Sequence, residues 1–155
     1  MASRAWTLWL SWAVLLASLA LWLALPRLAP WPDPWNAAET AVAGFVTAIL
    51  ALVAALGTFA LREALVERDL AGGRLDPTTA EGFATVRTRL IELWLLCAAI
   101  GALGGLMSRH AEHAAAGWPY LVGAAVLFVI HAPTPRFFRR VCGEEAGREQ
   151  RSSRA

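Results

Sequence analysis

Apolar residues in this chain come in long unbroken runs rather than at alternating positions. Four stretches carry neither charge nor histidine: 22 residues between Arg4 and Arg27, 22 between Glu39 and Arg62, 16 between Glu92 and Arg109, and 17 between His113 and His131. A helix crossing a hydrocarbon core of ~30 Å needs about 20 mostly apolar residues. The first two stretches meet that need directly. The third meets it when Leu90, Ile91 and Glu92 enter the interface, where a carboxylate can snorkel. The fourth is at the lower limit and predicts a nearly upright helix. The spans are placed at about 5–25, 40–61, 90–107 and 114–131. No segment sustains the alternation that a transmembrane β-barrel requires. The first run exceeds the roughly 7–15 residues of a signal-peptide core. It also holds Trp6, Trp9, Trp12 and Trp22 and ends in Ala24-Leu25-Pro26-Arg27, a poor cleavage site, so it reads as an uncleaved span.

Residues at the ends of the runs set the boundaries. Asn36 with Glu39 three residues on forms a capping box opening the second helix. Helical character continues through Leu61–Leu70, and Gly72-Gly73 ends it. Pro77 suits a first helical turn, and Thr78 with Glu81 fits a second capping box, predicting a third helix from about Pro77 to Met107. Residues 62–89 then form a helical hairpin standing about 15–20 Å clear of the apolar layer. Four prolines between Pro26 and Pro34 predict an extended outer loop along the interface. Gly117-Trp118-Pro119 and Pro133 with Pro135 bracket the fourth helix.

The predicted fold is therefore an all-α membrane protein: a four-helix transmembrane bundle with a protruding cytoplasmic helical hairpin between spans 2 and 3. Residues 1–142 form one membrane domain, and 143–155 form a disordered cytoplasmic tail. Composition agrees, with 57% of the 155 residues hydrophobic and 17% charged, too apolar for a soluble domain of this size. Charge adds the orientation. All 14 basic residues are arginine, which suggests a GC-rich bacterial genome. With the N-terminus inside, twelve of them face the cytoplasm and only Arg27 and Arg109 face out, a strong positive-inside bias. Trp6 and Trp94 then fall near the inner interface, and Trp31, Trp35, Trp118 and Tyr120 near the outer one. The chain is expected in the bacterial inner membrane with both termini cytoplasmic. Arg136-Phe137-Phe138-Arg139-Arg140 reads as an anchor on an anionic leaflet. Cys97 and Cys142 lie at different depths, which argues against a disulfide.

Candidate functional features are few. Small residues recur at helical spacing along the second span, at Ala41, Gly44, Ala48, Ala51, Ala55 and Thr58, and Gly101 with Gly105 forms a GxxxG in the third. These predict close packing of the second and third spans, or a seam toward another subunit. Pairing across the hairpin places Glu63 near Arg87, and Arg89 and Glu92 are i, i+3 neighbours. Glu92 reads as an edge ion pair or as a gate at a cytoplasmic mouth. His110, Glu112 and His113 form a weak candidate metal cluster; their spacing does not match a zinc helix. His131 lies across the membrane from those histidines, which excludes a haem held between them. No catalytic triad or phosphate loop is visible, no cofactor is predicted, and nucleic-acid recognition is unsupported. The expected partners are the lipid bilayer and a second membrane protein or further copies of the chain. The first functional reading is a structural or accessory subunit without chemistry of its own. The alternatives are a small oligomeric channel or transporter with Glu92, Arg87 and Arg89 at its mouth, and a metal-handling protein or enzyme using the outer cluster.

Overall fold

The computed structural model describes residues 2–28, 35–70, 72–111 and 114–134. Within them the chain is helical, in the order α1 (Ala2–Leu28), α2 (Ala37–Glu63) continued by a π-helical segment (Ala64–Leu70), α3 (Ala80–His110), a short 3₁₀ turn (Ala114–Gly117) and α4 (Trp118–Ile130). Three stretches are long and apolar enough to cross a membrane: Trp6–Ala24, Ala37–Leu70 and Ala80–His110. The fourth apolar stretch, Ala115–Ile130, is shorter. The reason is local. Pro119 sits in the first turn of α4, and Pro133 stands just past its end, so proline marks both limits. α1 runs on through Pro26 to Leu28, so the first three residues expected in the extended loop are helical instead; residues 29–34 of that loop, the 136–140 anchor, Cys142 and the tail lie outside the described residues.

The capping box at Asn36 is present. The Asn36 side chain accepts from the Glu39 amide at 2.9 Å, and the Glu39 carboxylate accepts from the Asn36 amide at 3.0 Å. The other end of α2 runs into the π segment, and the chain turns at Gly73, whose φ of +67° favours glycine. α3 starts at Ala80, three residues later than predicted, and its cap lies one residue past Thr78. The Asp76 carboxylate instead accepts from both the amide and the hydroxyl of Thr78, at 2.9 and 2.6 Å. That Asx turn takes Thr78 out of the helix, and Thr79 becomes the N-cap, accepting from the Gly82 amide at 3.0 Å.

α3 is the axis of the molecule, and each of the other helices packs against it. Contacts at its glycines give the directions. Leu19 meets Gly101 and Trp22 meets Gly105, so α1 runs parallel to α3. Gly57 faces Leu96 and Gly44 faces Met107, so α2 runs antiparallel. Tyr120 and Leu121 lie over Gly104 and Ala124 over Gly101, so α4 is antiparallel too. α3 and the 3₁₀ turn approach each other closely at Gly104 and Gly117. A Cβ at Gly104 would stand 2.8 Å from the Gly117 carbonyl oxygen, so the two glycines let α3 and the 3₁₀ turn touch. The core is apolar, with Leu8, Val86, Leu93, Trp94, Cys97, Ala124 and Phe128 almost fully buried. α2 differs from α3: much of its surface, including Val42, Phe45, Val46, Ile49, Leu52, Val53 and Leu56, is exposed.

Both ends are tied. At one end the Arg4 guanidinium donates to the carbonyls of Pro77 and Thr78 at 3.5 and 3.3 Å and lies 5.0 Å from the centre of the Phe83 ring. At the other, the Trp35 amide donates to the His110 carbonyl at 2.9 Å, and the two rings stack 4.6 Å apart.

Candidate functional site

The last carbonyls of any helix lack partners within it, and a buried carbonyl left unpaired costs about 1–3 kcal/mol. α4 meets this problem at Leu127–Ile130, and the rest of the molecule converges there. The His131 amide closes onto the Leu127 carbonyl at 2.9 Å and the Ala132 amide onto Val129 at 3.2 Å. The Trp12 indole of α1 donates to the Phe128 carbonyl at 3.1 Å. The Arg62 guanidinium of α2 donates to the Ile130 carbonyl at 2.6 Å. The Trp94 indole of α3 donates to the carbonyl of His131 itself at 3.1 Å. Every other helix therefore supplies one donor to the end of α4. The positive charge of Arg62 also suits the negative end of the helix dipole.

The His131 side chain completes the group. It is only 4% exposed. Its Nδ1 lies 3.3 Å from Nη1 of Arg62 and its Nε2 3.0 Å from the Thr58 hydroxyl. The Thr58 hydroxyl donates to the Ala55 carbonyl at 2.7 Å, one turn back in α2. Phe59 meets the imidazole edge-on at 5.1 Å between ring centres. Guanidinium has no acceptor, so Nδ1 must accept, and the neutral ring carries its hydrogen on Nε2. Below this network lies a small cleft of about 20 Å³, lined by Arg62, Leu65, Leu90, Leu93, His131, Ala132 and Pro133. It has room for about one water molecule.

Residues singled out from the sequence lie elsewhere. Arg89 and Glu92 pair with each other at 3.1 Å on the surface of α3, with side chains 52% and 44% exposed. Neither lines the cleft. Glu63 and Arg87 are both exposed, and Arg89–Glu92 is the one ion pair within 4 Å among the described residues. Of the small residues in α2, Gly44 faces α3, Ala51 and Ala55 border the core, and Ala41 and Ala48 are exposed. Gly101 and Gly105 turn toward α1 rather than α2. His110 stacks on Trp35; Glu112 and His113 lie outside the described residues, and no group of three metal-binding side chains occurs among those described.

In the sequence His131 marks the end of the fourth apolar run and lies apart from the other histidines, and nothing there assigns it, Trp12, Arg62 or Trp94 this role. One signal was available. Pro133 stops the fourth helix just past its apolar run, and the last carbonyls of a helix need donors from elsewhere. Indoles at Trp12 and Trp94 are natural ones.

No protein-family model, no curated protein and no solved structure matches this chain.

Proposed function

We propose that the chain is a multi-pass inner-membrane protein acting as a structural or accessory subunit. It works through helix packing and through the arm formed by residues 62–89. The apolar face of α2 supports the membrane setting: such a surface is an aggregation hazard in water but is well solvated by lipid. The four helices then cross or nearly cross the bilayer, with the Asp76–Thr79 turn on the cytoplasmic side. Arg4, Arg62, Arg74, Arg87 and Arg89 gather toward the end of the molecule where Arg4 meets that turn, which fits the positive-inside orientation.

The observation carrying the accessory role is where the polar groups of the interior go. Among the described residues the buried polar side chains are Thr47, Thr58 and His131, and the latter two belong to the network that closes α4. Polar groups on a transport path face one another across a passage; these are bound into the scaffold. The exposed Arg89–Glu92 pair fits an interfacial contact better than a gate. Native mass spectrometry of protein released gently from its own membrane tests the reading. A fixed complex with another membrane protein, or a symmetric oligomer, is expected. A lone monomer contradicts it. In proteoliposomes, flux abolished by Glu92→Gln would replace it with the transporter alternative.

A further inference from the structure

The group closing α4 is built in a way that works in only one protonation state. We propose that His131 is a pH-sensitive latch: proton uptake by its ring releases the inner end of α4 from α1, α2 and α3. This goes beyond an accessory role and does not depend on it.

Donor and acceptor directions around the ring leave room for one ring hydrogen. One nitrogen of Arg62, Nη1, serves both the Ile130 carbonyl and Nδ1 of His131. Its two hydrogens are thereby assigned, one to each acceptor. On the far side of the ring, the Thr58 hydroxyl gives its hydrogen to Ala55 and receives the one on Nε2. The chain of donors thus runs without a break from Arg62 through His131 to Ala55. A second ring hydrogen has nowhere to go. It would stand on Nδ1, facing the guanidinium 3.3 Å away, with a hydrogen bond lost and two like charges opposed. The negative end of α4 attracts a cation, but Arg62 already occupies that position.

Among the described residues no neighbour offsets the added charge. From α2 the ring meets Thr58, Phe59 and Arg62. From α3, Leu90 and Leu93 share the cleft with it, and Trp94 holds its carbonyl. α1 contributes Trp12, one turn away at Phe128. Among the described residues, the ionisable group touching the ring is Arg62, and the Glu92 carboxylate is engaged on the surface with Arg89. Relief comes from parting the ring and the guanidinium. Because Arg62 also holds Ile130, and His131 is itself held by Trp94, parting them loosens the whole helix end and opens the cleft at Leu90, Leu93 and Pro133.

The test is nitrogen NMR of the full chain in lipid nanodiscs, titrated from neutral pH to about pH 4. The ring nitrogens of His131 and the indole N–H groups of Trp12 and Trp94 are followed, assigned with His131→Gln, Trp12→Phe and Trp94→Phe. At neutral pH the hydrogen is expected on Nε2 and not on Nδ1. On acidification the ring gains its proton in the same transition in which both indole N–H groups lose roughly tenfold of their protection from exchange, taken against free indole at the same pH. Glutamine offers an acceptor and a donor without titrating, so in His131→Gln the indole signals should stay unchanged. In Arg62→Gln the ring should protonate at higher pH than in the parent. A hydrogen on Nδ1 at neutral pH would overturn the proposal. So would ring protonation with both indoles undisturbed, a ring still neutral at about pH 4, or the same indole response in His131→Gln.

Discussion

The indole of Trp94 has no access to solvent and gives its one hydrogen to the carbonyl of His131. Replacing it with phenylalanine keeps most of the volume and removes the donor. Leaving a buried carbonyl unpaired costs about 1–3 kcal/mol, so Trp94→Phe should lower stability by that amount in reversible detergent unfolding. Trp12→Phe should cost less, because Trp12 is only partly buried. Equal stability of Trp94→Phe and the parent would show that the carbonyl has another partner. Asp76 makes a prediction of a different kind. Hydrogen bonds from the hydroxyl and then the amide of Thr78 hold its carboxyl below the ordinary carboxylate range. A group whose folded value is depressed contributes fully above its unfolded value, and the contribution fades as pH falls through the folded one. Protection of the Thr78 amide from exchange, taken against the free amide at each pH, should therefore fall in acid below the carboxylate range in the parent, and change little with pH in Asp76→Asn.

Among the helices, a glycine's role depends on what faces it. A Cβ at Gly104 would meet the Gly117 carbonyl oxygen at 2.8 Å and the Tyr120 Cβ at 2.9 Å. A backbone oxygen cannot step aside as a flexible side chain can. Gly104→Ala should therefore destabilise by about 1–3 kcal/mol, the usual cost of overpacking. Nothing lies within 4 Å of a Cβ at Gly123, and alanine is the better helix former. Gly123→Ala should be neutral or stabilise by roughly 0.5–1 kcal/mol. Thermal unfolding of the two variants side by side checks the contrast, and equal effects would contradict it. Helix positions were legible in the sequence because charges and prolines interrupt the apolar runs, and because caps such as Asn36–Glu39 are local. The start of α3 was less legible, since Asp76 and Thr79 compete for the role given to Thr78. The partners of Gly101 and Gly105 could not be read at all. A glycine pattern shows that a helix can approach closely, but which helix does so depends on packing across the whole molecule.

At the scale of the molecule, α3 is a central rod enclosed by its neighbours, while much of α2 faces outward. That asymmetry explains why the site was nearly invisible beforehand. The residues closing α4 come from positions 12, 58, 62, 94 and 131, and no local spacing links them. Each is unremarkable alone: two aromatics, one threonine in a small-residue stripe, one arginine ending a span, one histidine. They become a site because α1 runs parallel to α3 while α2 and α4 run antiparallel, which brings all five to one level. The proposed role needs lipid as the solvent for the exposed faces of these helices and one direction of threading. Single cysteines placed at Arg74 and at Asn36, with Cys97 and Cys142 changed to serine, test both through a membrane-impermeant maleimide. Arg74→Cys should react in inverted vesicles and not in intact cells, and Asn36→Cys in intact cells and not in inverted vesicles. Labelling of both positions from the same side, or recovery of the protein in the soluble fraction, would contradict the account.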